Sequence, residues 1–214
     1  MAKNRPSITL RQQQSQQPAQ QASVVLLTKL KQAVAYHQRG ELTQAELLYR
    51  EILAHSPKHV DALHLLGVLQ AQAGKYEAAV DLIQKAIKEN PSHAAAYSNL
   101  GLALQKLGKP EEALSSYHRA LSIKPDYAEV FNNRGNALLE LARPEDALAS
   151  YERAVTLEPC YVEALYNRGN ALRDLKRPEE ALVSYNRALV LKPDYPEALN
   201  NRGDPARFRR TSEF

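Results

Sequence analysis

Five glycines, Gly67, Gly101, Gly135, Gly169 and Gly203, stand 34 residues apart, and no other feature constrains the fold of this chain as tightly. Ala45, Ala79, Ala113, Ala147 and Ala181 keep the same interval, as do Pro57, Pro91, Pro125, Pro159 and Pro193. With Gly at roughly 7% of average usage, five at one register have a chance on the order of 10⁻⁶. The chain is therefore read as copies of one unit, each too small to bury its own apolar face and obliged to stack on its neighbours.

Residues 128–161 show what the unit is. Phe131, Gly135 and Leu138 share one face of a first helix, and Ala147, Leu148, Tyr151, Ala154 and Val155 share one face of a second. Between them, Arg143-Pro144-Glu145-Asp146 has the chemistry of a helix start. Proline fits the first turn, where its missing N–H has no partner to lose, and acids favour the positive end of the helix dipole. Pro159 ends the second helix. Each unit is thus predicted to be an antiparallel helical hairpin. Gly135 and Ala147 let the two backbones approach, and Tyr151 fills the space beside Ala154.

Counting Ala128 as position 1, small residues fall at positions 8, 20 and 27, an aromatic at 24 and proline at 32. This pattern resembles the tetratricopeptide repeat family. The resemblance implies an all-α fold, a right-handed superhelical α-solenoid of stacked helix-turn-helix repeats. It predicts an array over residues 24–203, with repeats at 26–59, 60–93, 94–127, 128–161 and 162–195 and a partial sixth copy at 196–203. The first repeat diverges most, with Ala33 at position 8 and Ile52 at position 27, as suits a terminal cap. Ile83 takes the aromatic slot of the second, and Tyr117, Tyr151 and Tyr185 hold it in the next three.

The flanks read differently. Residues 1–23 are rich in glutamine with almost no apolar content, the composition of a disordered tail. Val24 to Leu27 is too short for a secretory or membrane-spanning segment, so a cytoplasmic address is expected. Asp204-Pro205 falls where earlier copies continue helically, and residues 204–214 have no repeat character. The sequence reads as an array interrupted here by truncation or a change of frame.

Charge argues against a nucleic-acid partner. The net charge of +4 resides in the tails, +3 in residues 1–23 and +1 in 204–214, which leaves the array neutral. The recurring row Lys85, Arg119, Arg153 and Arg187 shares its helices with acids and reads as a solvated face. Cys160 has no local base to activate it and reads as a reduced loop thiol. His55 and His59 are separated by Pro57 and make no metal-ligand pair; His59 and His93 occupy the register of Tyr127, Tyr161 and Tyr195 and read as packing residues. No metal, cofactor or catalytic constellation is expected. The acid pairs Glu111-Glu112, Glu145-Asp146 and Glu179-Glu180 recur at every second-helix start, as dipole partners do.

What remains is a surface. Positions 2, 5, 6, 9, 12 and 13 of each first helix turn away from its partner helix, and the resemblance implies that this side lines a concave groove. Toward the C-terminal half these positions become polar: Asn99; Asn132, Asn133 and Asn136; Tyr166, Asn167 and Asn170, followed by Arg173. Leu30, Val34, Leu65, Val68 and Leu102 make the earlier copies more apolar. Asn99, Asn133, Asn167 and Asn201, all at position 6, form a candidate asparagine ladder, since a side-chain amide can pair with the backbone of an extended peptide. The phrases AYSNLGLAL and FNNRGNALLEL are similar to the repeat arm of protein O-linked N-acetylglucosamine transferases, in which such a ladder holds substrate polypeptide. Nothing in the chain matches their glycosyltransferase domain, and no repeat has the lysine at position 5 that a chaperone-binding carboxylate clamp needs. The expectation is a non-enzymatic scaffold for a protein or peptide ligand, with the substrate-binding arm of a larger glycosyltransferase as the alternative. The sequence leaves partner identity and oligomeric state open.

Overall fold

A computed structural model describes residues 24–203; the glutamine-rich stretch and the stretch from 204 onward lie outside the described residues. All regular structure in the described residues is helical, and it forms two compact units. The first holds α1 (residues 24–38), α2 (Leu42–His55), α3 (Val60–Gln72) and α4 (Tyr76–Glu89). The second holds α5 (Ala94–Lys106), α6 (Pro110–Ile123), α7 (Ala128–Glu140), α8 (Pro144–Leu157), α9 (Val162–Asp174), α10 (Pro178–Leu191) and α11 (Pro196–Gly203). Odd-numbered helices are the first members of hairpins and even-numbered helices the second.

One turn joins the helices within every hairpin. In the fourth repeat, Ala142 N–H bonds Leu139 O and Arg143 N–H bonds Leu138 O, the paired closure that satisfies the last carbonyls of a helix. Ala142 sits there at φ 54° and Lys176 at φ 61°, where the first three repeats place Gly40, Gly74 and Gly108 at φ 71–77°. Pro110, Pro144 and Pro178 then open α6, α8 and α10. Arg143 pairs with Asp146 at 2.6 Å and Arg177 with Glu180 at 2.6 Å, so the acids of these first turns meet a cation as well as the dipole. Those pairs are exposed and contribute little.

The small and aromatic register packs as its spacing dictates. Ala113, Tyr117 and Ala120, then Ala147, Tyr151 and Ala154, then Ala181, Tyr185 and Ala188, have no solvent exposure. Four of the position-8 glycines serve a purpose beyond backbone approach: they seat the position-24 side chain, a tyrosine ring in three repeats and Ile83 in the second. A Cβ on Gly135 would lie 2.5 Å from Cε1 of Tyr151, and one on Gly67 would lie 2.6 Å from Cγ1 of Ile83. Gly101 and Gly169 seat Tyr117 and Tyr185 likewise. His59 and His93 do more than pack: each accepts through Nδ1 a backbone N–H of the following helix, from Ala62 and Ala96 at 3.3 Å. They are N-caps, which the more numerous tyrosines at this register concealed.

Candidate peptide-docking face on the first helices

Within the second unit, α7, α9 and α11 are tied side by side by side-chain amides. Asn167 Nδ2 donates to Asn132 Oδ1 at 2.9 Å and to Asn136 Oδ1 at 3.3 Å. One repeat on, Asn201 Nδ2 donates to Tyr166 Oη at 3.2 Å and to Asn170 Oδ1 at 3.0 Å. Position 6 of the fifth and sixth copies therefore reaches back to positions 5 and 9 of the copy before. Between α5 and α7 the matching residues are Ser98 and Leu102. Leu102 offers no acceptor, and Ser98 is buried, at 1% exposure, with its hydroxyl facing the Tyr127 phenol of its own repeat.

Position 9 is also the acceptor for the buried tyrosine of its own repeat. Tyr151 OH donates to Asn136 Oδ1 at 2.7 Å and Tyr185 OH to Asn170 Oδ1 at 2.9 Å. Burial raises the pKa of both phenols, that of Tyr185 to about 12. In the third repeat Tyr117 turns instead to Gln105, which donates on to Glu140 of α7 at 2.8 Å. Tyr151, Tyr185, Gln105 and Glu140 are parts of this face that sequence reading assigned to the core or passed over. Their signal is a complementarity: position 12 is polar in the third repeat, where position 9 is leucine, and leucine in the fourth, where position 9 is asparagine.

The predicted residues do not share one environment. Asn132 and Asn133 are buried, at 5% and 8% exposure. Asn99, Asn136, Tyr166, Asn167, Asn170, Arg173 and Asn201 are half-buried. The Tyr166 ring packs between Tyr195, 5.0 Å away, and Tyr185, 5.9 Å away. Arg173 is held by Asp174 at 3.0 Å. The structure brings Asn132, Asn136, Tyr166, Asn167, Asn170 and Asn201 into two bonded clusters, Asn132–Asn136–Asn167 and Tyr166–Asn170–Asn201; Asn133 lies on the same helix as Asn132 and Asn136. The outer face of α10 carries a separate shallow depression of about 380 Å³, lined in part by Pro159, Val183 and Val190, which includes none of these residues.

Among the described residues no group of three or more His, Cys, Asp or Glu side chains could hold a metal ion, and no helix is long and apolar enough to cross a membrane. The row Lys85, Arg119, Arg153 and Arg187 is exposed.

Repeated hairpins with small residues seating aromatic rings define a helical-repeat solenoid. Tetratricopeptide repeat profiles match residues 92–157 and 132–196, and a profile described as anaphase-promoting complex, cyclosome, subunit 3 matches residues 38–120. The chain belongs to the tetratricopeptide repeat family. No curated protein matches it. Among solved structures it is similar to PilF of Pseudomonas aeruginosa at 21% identity, covering 87% of this chain and 89% of that one with a TM-score of 0.72. It is also similar to a thermophilic TPR protein of Thermus thermophilus, TTC0263, at 24% identity, 84% and 97% coverage and a TM-score of 0.68. A third, YrrB, is described as a TPR protein with an unusual peptide-binding site; it is 23% identical, with 82% and 90% coverage and a TM-score of 0.67. At these identities the likeness is one of fold. That fold is a scaffold suited to protein–protein interaction.

Proposed function

We propose that the chain is a non-catalytic adaptor that holds an extended peptide or partner helix of another protein against the first-helix face of its second unit. The contact residues are Asn99, Asn132, Asn133, Asn136, Tyr166, Asn167, Asn170, Arg173 and Asn201. The observation that carries this reading is the pair of amide clusters, Asn132–Asn136–Asn167 and Tyr166–Asn170–Asn201, which set uncharged donors and acceptors on the first helices of successive repeats. Such groups suit a backbone whatever its side chains are. The peptide-binding site named for YrrB, a protein of similar fold, supports the same reading. The exposed single thiol, Cys160, fits a reducing, cytoplasmic setting. Neutrality of the array offers phosphate backbones no clustered footprint.

The test is a peptide selected from a displayed library against the full chain. Asn133→Ala combined with Asn167→Ala should weaken its capture by about ten-fold, or ~1.4 kcal/mol, with helicity retained by circular dichroism. Unchanged affinity would remove these asparagines from the binding surface.

A further inference from the structure

We infer that Arg134, with His118 beside it, is a docking point for a side-chain carboxylate of a partner protein. It lies where α7 packs against α6 and α8, and it shares no residue with the amide clusters of the first-helix face. Failure of the adaptor reading would leave it standing.

The next repeat supplies the template. Arg168, at position 7, donates through Nη1 to Ser184 Oγ at 2.6 Å and through Nη2 to Glu152 Oε1 of the preceding repeat at 3.2 Å. Arg134 holds position 7 one repeat earlier and bonds the matching serine, Nε to Ser150 Oγ at 3.0 Å. At the place of Glu152, however, the preceding repeat has His118, which is exposed. Guanidinium and serine are kept in both copies, and the carboxylate that completes the site is present in one alone.

No other side chain takes its place. The acid whose field reaches Arg134 is Asp146, and Asp146 is paired with Arg143 at 2.6 Å. Among the described residues Arg134 joins no ion pair. Its guanidinium is half-buried and lies over the Phe131 ring, 5.1 Å from the centroid, so the group is held in place before anything binds. With Nε committed to Ser150, the Nη groups form the planar fork that matches a carboxylate. Partial burial, then the charges of Arg134 and Arg143, hold the His118 pKa below its ordinary value. Near neutral pH the imidazole is therefore uncharged and can donate an N–H to the same carboxylate.

The ligand class follows from Glu152: one carboxylate, carried on a polypeptide. A single ion pair at a partly exposed site contributes little, so a small free acid would not be retained; an acidic side chain on a protein surface arrives with further contacts.

The first measurement follows the arginine Nε–H and histidine ring signals of the isotopically labelled full chain. Acetate exchanged for chloride at constant ionic strength should move Arg134 and His118 and leave Arg168, whose fork Glu152 occupies. Arg134→Gln, with helicity checked by circular dichroism, should silence His118. His118→Glu, which fills the site from within and keeps the guanidinium, should silence Arg134, and Glu152→His should make Arg168 respond. Equal responses of Arg134 and Arg168 in the parent chain, or none at Arg134, overturn the site. Inorganic phosphate bound more than about ten-fold more tightly than acetate overturns the carboxylate as its ligand.

The second measurement uses a displayed peptide library, selected on the full chain and counter-selected on Arg134→Gln. Binders should carry an Asp or Glu whose exchange for the corresponding amide weakens capture by about ten-fold on the parent chain and leaves capture by His118→Glu unchanged. Binders without such an acid, or no binders at all, overturn the polypeptide origin of the carboxylate.

Discussion

The hydroxyl of Tyr151, on a ring with no solvent exposure, donates to Oδ1 of Asn136 at 2.7 Å. A buried phenol needs such a partner, and the chain meets the need by two routes. Repeats four and five place asparagine at position 9; repeat three places leucine there and glutamine at position 12, where Gln105 takes the Tyr117 hydroxyl. Repeat one pairs Tyr49 with His37, also at position 12, at 3.3 Å. Repeat two has Ile83 in place of the tyrosine and Val68 and Ala71 at the two positions, so it carries neither the group nor its partner. Exchanging one route for the other is a test. Asn136→Leu should cost about 1–3 kcal/mol by orphaning the phenol. Adding Leu139→Gln, the arrangement of repeat three, should recover most of that loss in urea unfolding, while Leu139→Gln alone should not stabilise.

Gly135 and Tyr151 should be strongly coupled. A side chain on Gly135 would occupy the space of the ring, its Cβ lying 2.5 Å from Cε1. Gly135→Val is expected to destabilise by about 1–3 kcal/mol through overpacking. Tyr151→Ala should cost about 3–5 kcal/mol, as for other buried aromatics. The double variant should lose less than the sum by at least about 1 kcal/mol, because the new methyl groups enter the vacated space. Additive losses would mean that the glycine serves only backbone approach.

The hairpin, its period and its buried register were legible because each rests on local rules: apolar spacing, proline at a helix start, small residues where backbones meet. The seat under Tyr151 could not be read from Gly135 alone, since a glycine in a helix does not announce what fills its missing side chain. Asn136 and Asn167 were both legible as polar residues of the first-helix face. Their bond spans 31 residues and depends on how repeats pack, which no local pattern encodes. The cap at His59 was hidden for a different reason: Tyr127 and Tyr161 at the same register make no side-chain cap, so the repeat pattern pointed away from it.

Ala142 and Lys176 hold the left-handed backbone that glycine adopts without strain in the first three repeats. Side chains other than glycine meet a steric penalty there of about 1–2 kcal/mol, partly offset because glycine adds freedom to the unfolded chain. Ala142→Gly and Lys176→Gly should each stabilise the second unit by about 0.5–1 kcal/mol. Chemical denaturation with an unchanged denaturant slope checks this. A loss of stability would mean that the turn tolerates these side chains at no cost.

Alkali should dismantle the core through its tyrosines. Burial pushes Tyr49 and Tyr185 up to about 12 and raises Tyr117 and Tyr151 as well. An unfolded chain releases phenolic protons near pH 10. Between about pH 10 and 12 the unfolded state therefore holds fewer protons than the folded one, and stability falls as pH rises. This contribution is fully present below about pH 10 and is lost through the folded-state values. Tyrosinate absorbance should rise in two stages, exposed rings first and buried rings together with loss of helical circular dichroism. Tyr151→Phe should reduce the amplitude of the second stage and move it to higher pH. Ionisation of all tyrosines in one stage near pH 10, with helicity intact, would show that these rings are open to solvent.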